Sequence, residues 1–327
     1  MDSDWTTHVY AIPLRTRFRG ITVREGMVLH GPNGWGEFCP FPEYHGREAG
    51  RWLAAALEQA RGEWPAPVRD RVPVNCIVPA VDPQGAHDIA ARSGCRTAKV
   101  KVADHPESLA EDLARVAAVR DALGPAGAIR VDANAAWDVD TAVDRIRRLD
   151  IAASGLEYVE QPCLDLDDLA AVRRRIGVRI AADESIRRAD DPLDPAVVRR
   201  AREAADVAIL KCTPLGGVRA ALRVAEAVGL PCVVSSALET SVGLAAELAL
   251  AAALPELEFA CGLGTLALLD GDLVAEPDRL RPADGMLALP PAPPVPTQTL
   301  LDRYRHPDPD RTTWWTTRLA TLTRHPE

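Results

Sequence analysis

The sequence predicts an α/β fold: a (β/α)8-type barrel joined to a small N-terminal α+β domain. Three observations predict it. From Val72 onward, short apolar runs rich in Val, Ile, Ala and Cys alternate with amphipathic helical stretches. Near-continuous apolar strands joined by helices indicate a parallel sheet covered on both faces. The repeat occurs eight times in roughly 200 residues, the number and length of a closed barrel. Charged residues recur at the C-terminal ends of these runs, where such barrels carry their function. An open doubly wound sheet is the competing architecture, but no Gly-x-Gly-x-x-Gly turn follows the first run.

The elements follow in order. "HVYAIPL" and "ITVREGMVLHGPNGWGEF" read as strands, with Gly-Pro-Asn-Gly at 31–34 as a hairpin turn. A helix is expected from about Arg47 to Arg61, then a linker in "EWPAPVRDRVP". The strand runs are "VPVNCIV" (72–78), "AKVKVA" (98–103), "AIRVDAN" (128–134), "LEYVEQP" (156–162), "RIAADES" (179–185), "VAILKCT" (207–213), "PCVVSSA" (231–237) and "EFACGLG" (258–264). The helices between them are legible too. In "PESLAEDLARVAAVRDAL", Leu109, Leu113, Val116 and Leu123 keep helical spacing, with Pro106 suited to the first turn. "LLDGDLV" is expected to return to the N-terminal domain, with "PPAPPVP" at 290–296 and the Trp314–Trp315 tail packing peripherally. The resulting division is 1–71, 72–265 and 266–327.

Composition narrows the function classes. The 327 residues are 47% hydrophobic and 26% charged, ordinary for a globular protein. A net charge of -9 disfavours a nucleic-acid or anionic-membrane surface, because no basic excess exists to neutralise phosphates. The longest apolar run, from Leu244, contains Glu247 and is broken by Pro255, so no membrane span is expected. The start Met-Asp-Ser-Asp-Trp lacks the basic and apolar regions of a signal peptide. Seven cysteines form no Cys-x-x-Cys pair. Free structural thiols in a cytoplasmic protein are expected. Oligomeric state is left open, a monomer being compatible with the sequence.

The strand ends present Lys101, Asp132, Glu160, Asp183, Lys211 and the pair Ser235–Ser236, each about one βα unit after the last. A lone acid would as readily cap a helix or pair with an arginine. Three in one phase have no such reason to recur. Three carboxylates at one barrel mouth repel, and one takes up a proton unless a cation is present. Oxygen-only ligation, with no His or Cys at a strand end, favours Mg²⁺ over Zn²⁺. None of the histidines, at 8, 30, 45, 87, 105, 306 and 325, ends a strand, which argues against a His base or a His-rich zinc hydrolase. Lys99 and Lys101 share one face of their strand. Alternating lysines usually defend an edge strand, but a closed barrel has no edge. Lys101 acts as a base only if its pKa falls, and Lys99 pushes it that way. Lys211, four strands later, stands on the opposite side of the barrel.

Lys-x-Lys, Asp-x-Asn, Glu-Gln-Pro, Asp-Glu-Ser and Lys on successive strands resemble the enolase superfamily, more narrowly its muconate-cycloisomerase-type branch. "GEFCPFPEY" (36–44), "KCTPLGG" (211–217), "SSALETSVG" (235–243) and "GLGT" (262–265) resemble loops of the o-succinylbenzoate synthase family of menaquinone biosynthesis. The resemblance implies that the N-terminal domain caps the barrel. It implies Mg²⁺ ligands at Asp132, Glu160 and Asp183, an acid/base at Lys101 with Lys99 beside it, and Lys211 opposite. Asn134 would touch substrate and Glu184 would stand behind the ligands. Ser235, Ser236, Gly262 and Gly264 would line the substrate site, the glycine amides suiting a carboxylate. The implied reaction is loss of water from a small-molecule carboxylate, 2-succinyl-6-hydroxy-2,4-cyclohexadiene-1-carboxylate. Competing expectations are an N-succinylamino acid racemase, another acid-sugar or dipeptide enzyme of the superfamily, and a non-catalytic binding barrel. The last predicts a gap in the constellation, and none is present.

Overall fold

A computed structural model describes residues 5–62 and 64–324. Met1–Asp4 of the N-terminus, Glu63 of the expected linker and His325 lie outside the described residues. The chain begins with an antiparallel sheet of β1 (Thr6–Phe18), β2 (Ile21–Gly31) and β3 (Gly34–Phe38), in that order. Gly31 pairs with Gly34 across the Pro32–Asn33 turn, as the Gly-Pro-Asn-Gly motif predicts. The first hairpin turns at Arg19 and Gly20, both with positive φ (50° and 79°), the backbone of a tight hairpin. Helix Gly46–Arg61 packs on this sheet through Trp52, Leu53 and Ala56. Contact is so close that a Cβ on Gly36 would lie 1.9 Å from the Ala56 carbonyl oxygen. Only glycine fits there.

The expected run 72–78 is divided. β4 (Arg71–Pro73) pairs antiparallel with β12 (Met286–Ala288), and only β5 (Cys76–Val78) enters the parallel sheet. There follow β6 (Thr97–Lys101), β7 (Ala128–Asp132), β8 (Tyr158–Glu160), β9 (Ile180–Ala182), β10 (Val207–Leu210) and β11 (Cys232–Val234), all in chain order. The eighth run, 258–264, forms no strand. It makes single parallel bridges, Cys261 with Val74 and Gly262 with Ser235. Asn75 N donates to Cys261 O at 2.9 Å and Gly262 N to Val234 O at 2.8 Å, so these rungs join the two edges of the curled sheet. The expected helix from Pro106 starts later, at Leu109, because Ser108 holds the preceding turn through its bond to Asp112.

Parallel register aligns the interior. Lys99 pairs with Arg130 and Arg130 with Tyr158. Two residues further, Lys101 pairs with Asp132 and Asp132 with Glu160. Beneath that charged rung lie Tyr158, Ala181, Val207, Ile209, Val233 and Phe259. Buried Arg130 stacks 4.7 Å from the Tyr158 ring and donates to Glu157, Asn75 and Ala260, plugging the base. Glu160 pairs with Ala181, so Asp183 stands two residues beyond it and keeps the same face. Strand tilt in a closing barrel produces such even-numbered stagger.

The C-terminal residues return to the first sheet. Leu269 bridges Leu14, and Ala11 N donates to Tyr304 O at 2.8 Å. The stretch 290–296 remains mostly exposed. Trp315 does not pack peripherally: it is fully buried, edge-on to Phe38 at 5.9 Å. Its indole N–H reaches Glu25 on β2, which Arg311 also holds at 2.6 Å. All seven cysteines are free. No described helix is long and apolar enough to cross a membrane.

Trp315→Ala should lower unfolding free energy by about 3–5 kcal/mol in denaturant titration, the usual cost of emptying such a site. Burial opposes ionisation of Glu25, but hydrogen bonds from Arg311 and Trp315 outweigh it and hold its pKa below the ordinary value. Its contribution is therefore present above the ordinary carboxylate range and lost as pH falls through the depressed pKa. Glu25→Gln should flatten that acid limb, read as unfolding midpoint against pH.

Candidate active site

The strand ends bring the expected acids and lysines into one buried ionic network. Lys99 Nζ donates to both Glu160 oxygens at 2.9 and 3.0 Å and to Asp132 at 3.2 Å. Lys101 Nζ lies 2.5 Å from Asp132 Oδ2 and 2.7 Å from Asn134 Oδ1. Across the mouth, Lys211 Nζ lies 2.5 Å from Asp183 Oδ2. Asn134 Nδ2 bonds Glu184 Oε1 at 3.3 Å, so Asn134 links the two sides. The three strand-end acids are each no more than 1% exposed.

Local sequence sets these positions. Asn134, Ala135 and Gln161 follow their strands with positive φ, strained turns that survive only when well braced. Asn134 N donates back to Asp132 Oδ1 at 3.0 Å. The Gln161 amide oxygen accepts from Asp183 N at 2.8 Å and from Ser185 N at 3.2 Å. The glutamine of Glu-Gln-Pro thus fixes the backbone of the next strand's acid.

Burial and mutual charge distribute the protons. Glu160 is pushed up to about 7, first by burial and then by the Asp132 charge. Burial raises Asp132 and Asp183 as well, but neighbouring cations outweigh it and hold both far below the ordinary carboxylate range. For Asp132 the cations are Lys101 and Lys99; for Asp183 they are Arg187 and Lys211. One acid of three resists ionisation, through burial first and repulsion second. Lys101 is lowered: burial dominates, Asp132 opposes it, and Lys99 reinforces it. Lys99 is raised despite burial, because Glu160 and Asp132 hold it charged.

A cavity of about 20 Å³ is lined by Lys99, Lys101, Asp132, Asn134, Lys211 and the Ser235–Leu238 wall, beneath Phe18 and Arg19. That volume suits a water molecule. An adjoining groove of about 260 Å³ opens past Arg17–Gly20 and Ala103–Asp104. A larger crevice, about 740 Å³, lies elsewhere, among Ile146–Asp150, Leu156–Glu157 and Arg175–Arg179. It contains none of the strand-end residues.

Ser236 Oγ is 2.6 Å from Thr265 Oγ1 and donates to Gly262 O at 3.1 Å. Neither Gly262 nor Gly264 lines the cavity, and the Gly262 amide is committed to Val234 O in closing the sheet. A Cβ at 262 would approach Ser235 Oγ to 2.5 Å, so a larger residue would require that hydroxyl to turn away. Sequence reasoning missed Arg187, Tyr44, Phe18 and Arg19. Arg187 is buried and reaches Asp183 at 2.8 Å, Glu184 at 2.9 Å and Tyr44 Oη at 3.1 Å. Its spacing of four from Asp183 on a helical turn was the available signal. Phe18 lies 5.1 Å from Lys101 Nζ, and Arg19 stacks 4.5 Å over Phe41. Only the pairing of β1 with β2 places them there.

Among the described residues, no three His, Cys, Asp or Glu side chains are gathered closely enough to hold an ion as they stand. Lysine ammonium groups stand among the acids instead, Lys99 between Asp132 and Glu160 and Lys211 on Asp183. The donor chemistry nevertheless fits a hard divalent cation. Three buried carboxylates share one interior face, and Glu184 Oε2 is buried without a hydrogen-bond partner.

A curled parallel sheet under an antiparallel N-terminal sheet, with acids and lysines meeting at the strand ends, is the architecture of the enolase superfamily. Family models described as "Enolase N-terminal domain-like" and "Enolase C-terminal domain-like" match residues 9–60 and 84–293. Muconate lactonizing enzyme from Pseudomonas putida superposes with a TM-score of 0.74 at 21% identity, covering 92% of this chain and 99% of that one. The o-succinylbenzoate synthase of Thermobifida fusca is 66% identical over 282 residues, 86% of each chain. That of Mycolicibacterium smegmatis is 53% identical over 314 residues, 96% of this chain and 94% of its own. The chain belongs to the enolase superfamily and, within it, to the family of these synthases.

Arg187→Met would leave Asp183 and Glu184 buried with less compensating charge. Breaking such a pair costs about 3–5 kcal/mol, so urea unfolding should show a loss of that order.

Proposed function

We propose that this chain is a lyase that dehydrates 2-succinyl-6-hydroxy-2,4-cyclohexadiene-1-carboxylate to 2-succinylbenzoate. One observation carries the chemistry: lysines from two sides of the barrel, Lys101 and Lys211, meet buried carboxylates around one cavity. The relatives' name gives the product, o-succinylbenzoate, and does not favour a racemase as the main activity; the substrate is the one the family resemblance implies.

Mg²⁺ would be held by Asp132, Glu160 and Asp183, and when bound it supplies fixed positive charge against the substrate carboxylate. The remaining work falls to the chain's own residues. A proton beside a carboxylate is weakly acidic because its loss builds negative charge on that group. Lys101, lowered by burial, takes this proton in its neutral form. The C–H electron pair is first held on the substrate carboxylate as an enediolate, then returns to form the ring double bond as the C–O bond breaks. Lys101, now an ammonium, returns the proton to the departing hydroxyl, which leaves as water from the same face. Aromatisation drives the step. Lys99 stays charged against Glu160 and disfavours a second charge on Lys101. Lys211 faces the other side of the ring, where an ammonium can lie against π density. Asn134, Ser235 and Ser236 supply polar cavity contacts.

A cavity of about 20 Å³ is smaller than this substrate, and the Phe18–Arg19 hairpin tip stands between it and the adjoining groove. Free cysteines and the lack of a membrane-crossing helix among the described residues are compatible with the cytoplasm.

Lys101→Ala should lower dehydration by at least about a thousandfold, within the range for a lost acid/base, while calorimetry still detects Mg²⁺ binding. Near-normal turnover would overturn the assignment of the base. Because Lys101 must be neutral, kcat/KM should rise with pH through its pKa, below the ordinary lysine value of 10.5. A profile flat across that limb would count against it.

A further inference from the structure

Ser235–Leu238 form one wall of the cavity. Leu238 adopts φ +66°, a left-handed backbone that β-carbon sterics make rare outside glycine. Such a conformation persists only where its surroundings over-determine it. Here the decisive neighbour comes from the other sheet. Arg24 on β2 is 2% exposed. Its Nε donates to Leu238 O at 3.1 Å, and its Nη2 donates to Ala237 O at 3.2 Å and Cys39 O at 2.5 Å. Nη1 donates to Glu25 O at 3.3 Å, and the guanidinium stacks 4.4 Å over Phe41. Every one of these hydrogen bonds goes to a backbone carbonyl and none to a carboxylate. A buried cation so placed is a costly way to pack a strand. What it does that an apolar side chain could not is fix two successive carbonyls of a left-handed turn.

The same wall is held at its far end. Glu239 accepts from Ala237 N at 2.6 Å and from Thr213 Oγ1 at 2.7 Å, two residues beyond Lys211. Glu37 on β3 accepts from Thr240 N at 3.1 Å, Thr240 Oγ1 at 2.6 Å and Gly243 N at 2.8 Å. The N-terminal sheet therefore sets the shape of a barrel loop on the cavity.

We infer that Arg24 is a positioning residue: by clamping the Ala237 and Leu238 carbonyls it holds the cavity wall in its substrate-binding shape. It touches no reacting atom, so its loss weakens grip on the substrate more than the chemical step. The kinetic readout rests on the proposed dehydration; amide hydrogen exchange at 235–240 does not.

The test compares wild type, Arg24→Met, Arg24→Lys, Leu238→Gly and the Arg24→Met/Leu238→Gly pair. Arg24→Met should raise KM about tenfold with kcat changed less than about threefold, and should speed exchange at 235–240. Arg24→Lys should fall between. Glycine takes the left-handed turn without strain, so the double variant should recover most of the loss, a non-additive result. An unchanged KM with only lower stability, or strictly additive effects, would overturn the inference. If Arg24→Met fails to fold, the same comparison on Arg24→Lys decides. If wild type does not dehydrate the substrate, the proposed function fails, and the exchange pattern alone decides the role of Arg24.

Discussion

Everything at the barrel mouth depends on one constraint: like charges buried on a single interior face must be neutralised by partners on that face. Parallel register puts Lys101, Asp132 and Glu160 in one rung, with Lys99 a step below. Side chains that alternate in and out leave no other direction for them to point. Acids and lysines therefore interleave, and each carboxylate finds an ammonium within hydrogen-bond reach. The same arrangement sets the proton inventory. Lys99 is held charged by two acids, while burial, with the Lys99 charge behind it, lowers Lys101.

That network makes demands on the rest of the fold. Its residues must be screened from bulk solvent, and the Phe18–Arg19 hairpin and the Ser235–Leu238 wall cover them from opposite ends of the sequence. It must also sit on a rigid base, supplied by Arg130 stacked among aromatic rings and by the small apolar layer of Ala181, Val207, Ile209 and Val233. The N-terminal sheet is part of this machinery. Arg24 and Glu37 reach from it into the loop after β11, and Tyr44 reaches Arg187 behind Asp183. Glu37 in turn accepts from Tyr10 at 2.5 Å, so the latch extends back to β1.

The legibility of the site follows from the same geometry. Strand-end residues recur at the length of one βα unit, so Lys101, Asp132, Glu160, Asp183 and Lys211 could be found by phase. Residues that arrive by long-range packing carry no such period. Phe18 and Arg19 sit on a hairpin tip, and nothing local marks them as facing a lysine far along the chain. Gly262 shows the same limit. Its glycine-rich setting suggested an open amide, whereas the Gly262 N–H is used in closing the sheet. Trp315 resembled a surface tail until the helix carrying it was placed against Phe38.

By itself, the sequence determined the strand-and-helix repeat, the interior-facing residues and the chemical character of the mouth. Each depends on periodicity and residue type, which are local properties of the chain. Only the tertiary structure decided how the ring closes, through single bridges at Cys261 and Gly262 instead of an eighth strand. It alone decided that the lysines neutralise the acids directly, and which N-terminal side chains shape the cavity wall. Those outcomes depend on distances between residues remote in sequence, and on the exclusion of water that only a closed core provides.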